Sequence, residues 1–423
     1  MFSSKARLGL TAATALTAFT SAVYAQPAPE SQFARDRNVS VLERPRPEFV
    51  APPLRAGAFI VNADLLLGVE YDSNVFARDT DEEGDAIAII SPRIIARSDW
   101  SRHALDGEVR AARREYAENS DESFWTTFIR ADGRADVSRS INLTAGLSHL
   151  EDSESRAAAG VSAVSETPID FSQTGFSAGV ERTRGRISLE AGFDLDVFDY
   201  EDARLPGGTL ADQDFRDRDN FAYTVRGDFA LSPDTAAFAR VRLADSEHDQ
   251  ADASGRDSNT VTIDAGADFD LSNLARGEVA FGFTSRDFDG DTFQDTETAS
   301  VDARVEWFPS GLTTVTLNAT RAIDDAGLEF SGGFVVTGLG AEVDHELLRN
   351  LIVSGQVSWR SEDYLDIDRT DDRTSLGVSA TWLANPRIGV RGSLDYVTQD
   401  SSGAAGLRDF SRSVLGVSLV LRP

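Results

Sequence analysis

No cysteine occurs in the 423 residues, which excludes disulfide staples, c-type haem attachment and thiol catalysis. Methionine occurs once and the single lysine is Lys5, so arginine carries nearly all the positive charge. Those cations are outnumbered: 41 Lys+Arg against 70 Asp+Glu give a formal net charge of -29. That is the wrong sign for a phosphate backbone, and no nucleic-acid partner is expected. A long apolar run is missing as well. Beyond the N-terminus no stretch approaches the ~18 uncharged residues of a membrane-crossing helix.

Motifs that carry chemistry are equally scarce. The four histidines, His103, His149, His248 and His345, lack the His-x-x-x-His spacing that sets two ligands on one helix face, so no metal site is assigned. Ser148-His149 has no nucleophile motif around it, no glycine-rich phosphate loop runs into a lysine, and carboxylate pairs arise by chance among so many acids. The acidic strings at residues 79–85 and 366–372 offer carboxylates without the spacing of a calcium loop. They are expected to face solvent. No catalytic residue and no cofactor is assigned, and the chain is expected not to be an enzyme.

What the sequence does have is alternation. Ile187, Leu189, Ala191, Phe193, Leu195 and Val197 are separated by Ser188, Glu190, Gly192, Asp194 and Asp196. A period of two places one set on each face of a strand. The second set is too polar to wall a dry core. Closed so that no edge is left, such an antiparallel sheet is the β route across a membrane. The rival is a large soluble β protein, which would have to mask many outward aliphatics and manage its edges.

The first 25 residues read as a signal peptide: Lys5 and Arg7, then an apolar or small stretch over 8–22, then Val23-Tyr24-Ala25 at the cleavage positions. Removing it takes the formal charge from -29 to -31, since Lys5 and Arg7 leave with it. Residues 26–57 form a leader dense in proline, Pro27, Pro29, Pro45, Pro47, Pro52 and Pro53, which argues against regular structure and for a periplasmic tether. The domain from 58 to 423 is one barrel.

Eighteen strands are predicted: 59–71, 86–98, 102–117, 123–138, 140–150, 173–183, 185–199, 219–231, 234–247, 257–270, 274–288, 297–308, 312–323, 332–346, 350–361, 371–384, 386–398 and 408–422. Residues 156–164 could add a short helix or another strand, so sixteen to twenty strands remain open, with an even number expected. The connectors alternate between tight turns, as at 232–233 and 385–386, and acidic segments such as 201–218. Outer-membrane barrels have short periplasmic turns and longer external loops.

Arg or Lys at the lipid midplane costs about 2–4 kcal/mol, so the charged series is assigned to the lumen. The lumen candidates are Asp106, Glu108 and Arg110 on one strand and Arg130, Asp132 and Arg134 on the next; Arg240, Arg242, Asp264, Asp302, Arg304 and Glu306 further on; and Arg387 and Arg391 near the end. They form either a charged pore wall or pairs that satisfy one another. Inward small residues, Ala222, Ala244, Gly266, Ala280, Gly282 and Gly377, are expected to leave room. Tyr71, Phe76, Trp100, Tyr116, Trp125, Tyr200, Trp307, Phe308, Trp359, Tyr364 and Trp382 are expected to form interfacial girdles.

At the end of the first strand the phrase Tyr71-Asp72-Ser73-Asn74-Val75-Phe76 resembles one that recurs in the bacterial family called Putative beta-barrel porin 2. The six residues are expected to be structural, with Asp72 and Asn74 bonding to backbone where the chain leaves the strand. The resemblance implies an outer-membrane β-barrel. For some members it also implies export of exopolysaccharide beside a periplasmic apparatus. One departure is the C-terminus, which ends Leu421-Arg422-Pro423 where such barrels usually end in an aromatic. The expected function is a porin-like channel for passive or partner-gated passage of polar solutes. Its expected partners are outer-membrane lipid, the outer-membrane assembly machinery and polysaccharide-export components. The alternative is an occluded structural or polymer-binding scaffold.

Overall fold

A computed structural model describes residues 39–158, 165–249, 255–271, 274–406 and 408–423. The predicted signal peptide and the start of the leader lie outside the described residues, as does most of the 156–164 segment.

The alternating runs become β1 (Phe59–Asp72), β2 (Asp85–Ser98), β3 (Ala104–Tyr116), β4 (Phe124–Ser138), β5 (Ile141–Ser153) and β6 (Asp170–Arg184). They continue as β7 (Ile187–Tyr200), β8 (Arg218–Ser232), β9 (Thr235–His248), β10 (Ser258–Leu271), β11 (Ala275–Phe288) and β12 (Thr296–Ser310). The last six are β13 (Thr313–Asp324), β14 (Phe334–Leu348), β15 (Leu351–Tyr364), β16 (Arg369–Asn385), β17 (Ile388–Gly403) and β18 (Phe410–Leu421). Each pairs antiparallel with its neighbours in sequence, and β1 pairs with β18 from Leu65↔Leu421 to Asp72↔Val414. The sheet closes on itself as an 18-strand barrel. All the predicted strands are present. The largest boundary difference is at the polar end of β17, where residues 399–403 stay in the ladder opposite 369–373. Ladder bonds need backbone only, so a run of Asp and Ser does not end them.

Connectors alternate between the two ends and, apart from the four-residue 365–368, the longer ones share one end. Tight turns gather at one end with the start of β1 and the end of β18. The described residues of 73–84, 117–123, 154–169, 201–217, 249–257, 289–295, 325–333, 365–368 and 404–409 gather at the other. Two of these, 117–123 and 325–333, fall at the gaps 118–122 and 324–331 between predicted strands.

Side chains are inverted relative to a soluble core. On β10, Ile263 is 57% exposed on the outer surface whereas its neighbour Asp264, facing the lumen, is 3% exposed. A greasy exterior around a charged interior is stable only where hydrocarbon is the outer solvent. All five tryptophans lie exposed on the outside. Trp100, Trp307 and Trp382 stand near the tight-turn end, while Trp125 and Trp359 join Tyr71, Tyr223 and Tyr396 toward the long-loop end. The girdle expectation fails for Phe76, Tyr116, Tyr200, Phe308 and Tyr364. The four strand residues share parity with inward groups such as Arg114 and Glu362, and Phe76 lies beside Arg156 in an infolded loop.

Candidate functional site

The inward face is a lattice of ion pairs in two sectors. On β2–β4, Arg93 pairs with Glu108 at 2.8 Å, Arg130 makes a two-pronged contact with Asp132 at 2.6 and 2.7 Å, and Arg134 meets Asp136 at 3.0 Å. Asp106 lies on this face one turn of the pleat from Glu108, and Arg110 stands over the Phe128 ring at 5.4 Å. In the second sector, Arg240 bridges Asp264 and Asp302, each at 3.1 Å, while Arg226 joins Asp228 at 2.9 Å and Glu278 at 2.8 Å. Arg304 and Arg276 share Glu306, at 3.6 and 2.6 Å. Arg242 looks toward Asp194 and Asp196 across β8. Arg391 faces the lumen from β17. Arg387 does not: it is exposed in the tight turn between Asn385 and Ile388, where its N–H is bound to Asn385 Oδ1.

The small inward residues act differently from one another. Gly266 leaves no free room, because a Cβ there would lie 2.3 Å from the Val279 carbonyl oxygen and 2.6 Å from the Phe238 ring. The buried Phe238 pairs with it across β9 and β10, an aromatic packed on glycine, and Arg226 stacks 3.8 Å from that ring. On the opposite sector, the middle of β14–β18 presents small and polar side chains, Gly340, Gln356, Ser358, Ser375, Gly377 and Ser393, among its charged ones. There a cavity of about 300 Å³ opens into the lumen.

At the long-loop mouth the six-residue phrase locks the barrel seam. Asp72 is fully buried and accepts from Arg412 Nε at 2.9 Å and from the Asn74 N–H at 3.0 Å. Ser73 and Ser413 exchange bonds, and Asn74 Nδ2 donates to the Ser411 and Arg78 carbonyls at 2.8 and 2.6 Å. The phrase is structural, but its loop turns inward: Ala77 packs with Ala157, Val397 and Phe410. Arg156 folds in with it, held to Glu122 at 2.5 and 2.9 Å. Arg408 donates to the Phe76, Ala77 and Arg156 carbonyls. Its burial, aided by Arg373, Arg369 and Arg156 nearby, pulls its pKa down to about 10. A second knot joins Asp325 to Arg218 at 3.2 Å and Arg286 at 2.7 Å, while Arg256 caps the Ala326 and Ser331 carbonyls. In the two acidic strings Asp79, Asp81, Glu82 and Glu83 face solvent as expected, while other acids are used locally. Asp85 takes the Glu118 and Asn119 N–H groups, Asp366 takes that of Gln294, and Asp371 pairs with Arg369.

The tight-turn mouth holds what the sequence did not suggest. The leader is not a free tether over its described part. Val41 is buried and its N–H donates to Thr314 Oγ1 at 2.9 Å. Arg46 reaches Glu346 at 2.8 Å, Arg44 reaches the same oxygen at 3.2 Å, and Glu43 takes Arg276 at 2.5 Å. Arg349 then clasps Glu48 and the Pro45 carbonyl, each at 2.7 Å, over a short helical turn at Pro47–Phe49. Beyond it Leu54–Ala56 pairs with β1 from Val61 back to Phe59, below the point where β18 stops. Proline density argued against regular structure, yet side-chain ion pairs need none.

A closed antiparallel barrel with a lipid-compatible wall, charged lumen and loops at one end is an outer-membrane barrel of porin type. The chain belongs to the family described as Putative beta-barrel porin 2, which matches residues 46–423. Among solved structures it is similar to OpdK of Pseudomonas aeruginosa with vanillate, at 11% identity and a TM-score of 0.46, covering 86% of this chain and 99% of that one. It is also similar to OccK2 (OpdF) of the same organism with glucuronate, at 12% identity, TM-score 0.47, and 86% and 98% coverage. OccAB4 of Acinetobacter baumannii gives 9% identity, TM-score 0.45, and the same 86% and 98% coverage. No curated protein matches the sequence. The protein resides in the bacterial outer membrane.

Proposed function

We propose that the protein is a non-catalytic channel for passive or partner-gated passage of polar solutes across the outer membrane. The supporting observation is the inverted barrel itself, with Ile263-type aliphatics outside, paired Arg and acids inside, and a cavity within the lumen lined by both polar and apolar side chains. The tight-turn end is assigned to the periplasm by the usual loop asymmetry, which puts the docked leader at the periplasmic mouth. There it is accessible to a gating partner. Export of an exopolysaccharide with periplasmic components is the finer form of this proposal and rests on family resemblance. Insertion by the outer-membrane assembly machinery belongs to the same reading.

An occluded scaffold is the second reading, favoured by the leader in one mouth and the infolded 73–84 and 154–158 segments in the other. Conductance of the refolded mature chain in a planar bilayer separates the two. Stable unitary steps support the channel. A folded, inserted protein that passes no current, with or without residues 26–57, supports the scaffold.

A further inference from the structure

The small-residue wall has an order of its own. Across β14–β17, Glu342, Gln356, Gly377 and Asp395 are successive register partners in one row. The row above runs Asn318, Gly340, Ser358 and Ser375. Strands are spaced about 4.8 Å apart, so each row is a ladder of polar groups at that interval. Gly377 makes the lower row continuous: Gln356 Nε2 donates to Asp395 Oδ1 at 3.3 Å, through the space a Cβ at 377 would occupy 2.5 and 2.6 Å from those atoms. Apart from Gly377, both rows line the 300 Å³ cavity, which Arg114, Arg156 and Arg412 line as well.

Each of those arginines is already committed. Arg114 is paired to Glu70, Arg156 to Glu122 and Arg412 to Asp72. An anion entering the cavity meets five carboxylates and only arginines that already hold acids; Glu70, Glu122 and Glu154 are in ion pairs, which leaves Glu342 and Asp395. A cation is not favoured strongly either, because Arg391 on the same wall is an electrostatic neighbour of both carboxylates. What remains unspent is a mixture: carboxylate acceptors, amide donors and acceptors on Gln356 and Asn318, and hydroxyls on Ser358 and Ser375. Hydroxyl groups, which donate and accept at once, match that mixture.

We infer that the β13–β17 wall is a binding subsite for neutral polyhydroxylated solutes of small-sugar size. Resting on the passage proposed above, it assigns the cargo class and an off-centre path along this wall. The Gln356–Asp395 clasp supplies a rigid pair, Glu342 a free acceptor, and the serine row a surface along which hydroxyls exchange partners.

Maltotriose is the probe, with citrate and spermidine as the charged comparisons, on the refolded mature full-length protein. Titration calorimetry in detergent reads binding, and bilayer recording reads interruption of ion current. Maltotriose is expected to bind and to interrupt the current, citrate to do neither. Glu342→Ala with Gln356→Ala is expected to weaken maltotriose at least tenfold, and Ser375→Arg to abolish its binding by filling the cavity. Glu342→Gln is a milder variant should the double one misfold, with heat-modifiable gel mobility as the check. Tighter binding of spermidine or citrate than of maltotriose overturns the inference, as does unchanged maltotriose affinity in folded variants. Current without any maltotriose effect overturns the subsite and leaves the channel. Variant-sensitive maltotriose binding without current keeps the subsite and removes the channel.

Discussion

Glu346 is the residue on which the leader hangs, so replacing it should release that segment without opening the barrel. Its carboxylate takes Arg46 at 2.8 Å, Arg44 at 3.2 Å and Arg349 at 3.7 Å, and both Arg46 and Glu346 are only 6% exposed. Burial lowers the pKa of Arg46 and Glu346 opposes that shift, so the pair is what keeps the guanidinium tolerable there. Arg46 Nε already lacks a partner among the described residues. Removing one member of a buried ion pair costs about 3–5 kcal/mol, because the other charge is left in a dry place. Arg46 has an escape that most buried charges lack: the leader can undock and return it to water. The expected outcome of Glu346→Ala is therefore a population shift of the leader, roughly 100-fold toward the undocked state at about 3 kcal/mol. Glutamyl endopeptidase suits the assay, since Glu43 and Glu48 lie in the segment while Arg44 and Arg46 precede prolines that block trypsin. Cleavage within 43–48 should accelerate in proportion while heat-modifiable mobility stays that of a folded barrel. Glu48→Gln is the control. Its ion pair with Arg349 is about 44% exposed and screened by solvent, so cleavage after Glu43, the site this variant keeps, should change little. Equal cleavage rates in wild type and Glu346→Ala, or loss of the folded barrel in place of leader release, would refute the reasoning.

Ile263→Arg places a cation at mid-strand on the lipid face and should cost about 2–4 kcal/mol, read from denaturant titration of folding into liposomes. Gly266→Ala is expected to cost at least ~1–3 kcal/mol by overpacking, with partial recovery when Phe238→Leu relieves the ring contact but not the clash with the Val279 carbonyl. Asp217, next to β8, has its pKa raised to about 6 by burial and by Asp199, Asp214 and Asp249, against a lowering bond from the Tyr200 N–H. A carboxyl whose folded pKa is raised is better tolerated protonated, so its loop gains stability as pH falls through about 6 toward 4. Protection factors over residues 201–217, corrected for the intrinsic pH dependence of exchange, should rise between pH 7.5 and pH 5, and Asp217→Asn should flatten that dependence.

Much of the barrel was legible because its signal is local and repeated. Period-two alternation fixes which face meets hydrocarbon at every strand, and Val261, Ile263 and Asp264 stand where their spacing put them. Placement near a strand end was a weaker guide than parity. Tyr116 and Tyr364 were assigned to girdles by position along the strand, yet their parity with Arg114 and Glu362 turns them inward. A parity count along each strand would have found this. The filling of Gly266 by Phe238 needed the register between two strands, which a single run does not carry. Docking of the leader was hidden for another reason. Val41 meets Thr314 and Arg46 meets Glu346, partners about 300 residues away, and nothing in a proline-rich segment announces them.

The seam between β1 and β18 has a further consequence. Asp72 and Arg412 lie 340 residues apart, so the wall cannot shut until almost the whole chain has emerged. Until then the cylinder is a bent ribbon with two bare rims, and the clamp that would fasten them is divided between its ends. A chain shortened before Phe410 would lose both the last stave and the fastening, and should fail outright to insert, with no narrower tube to fall back on.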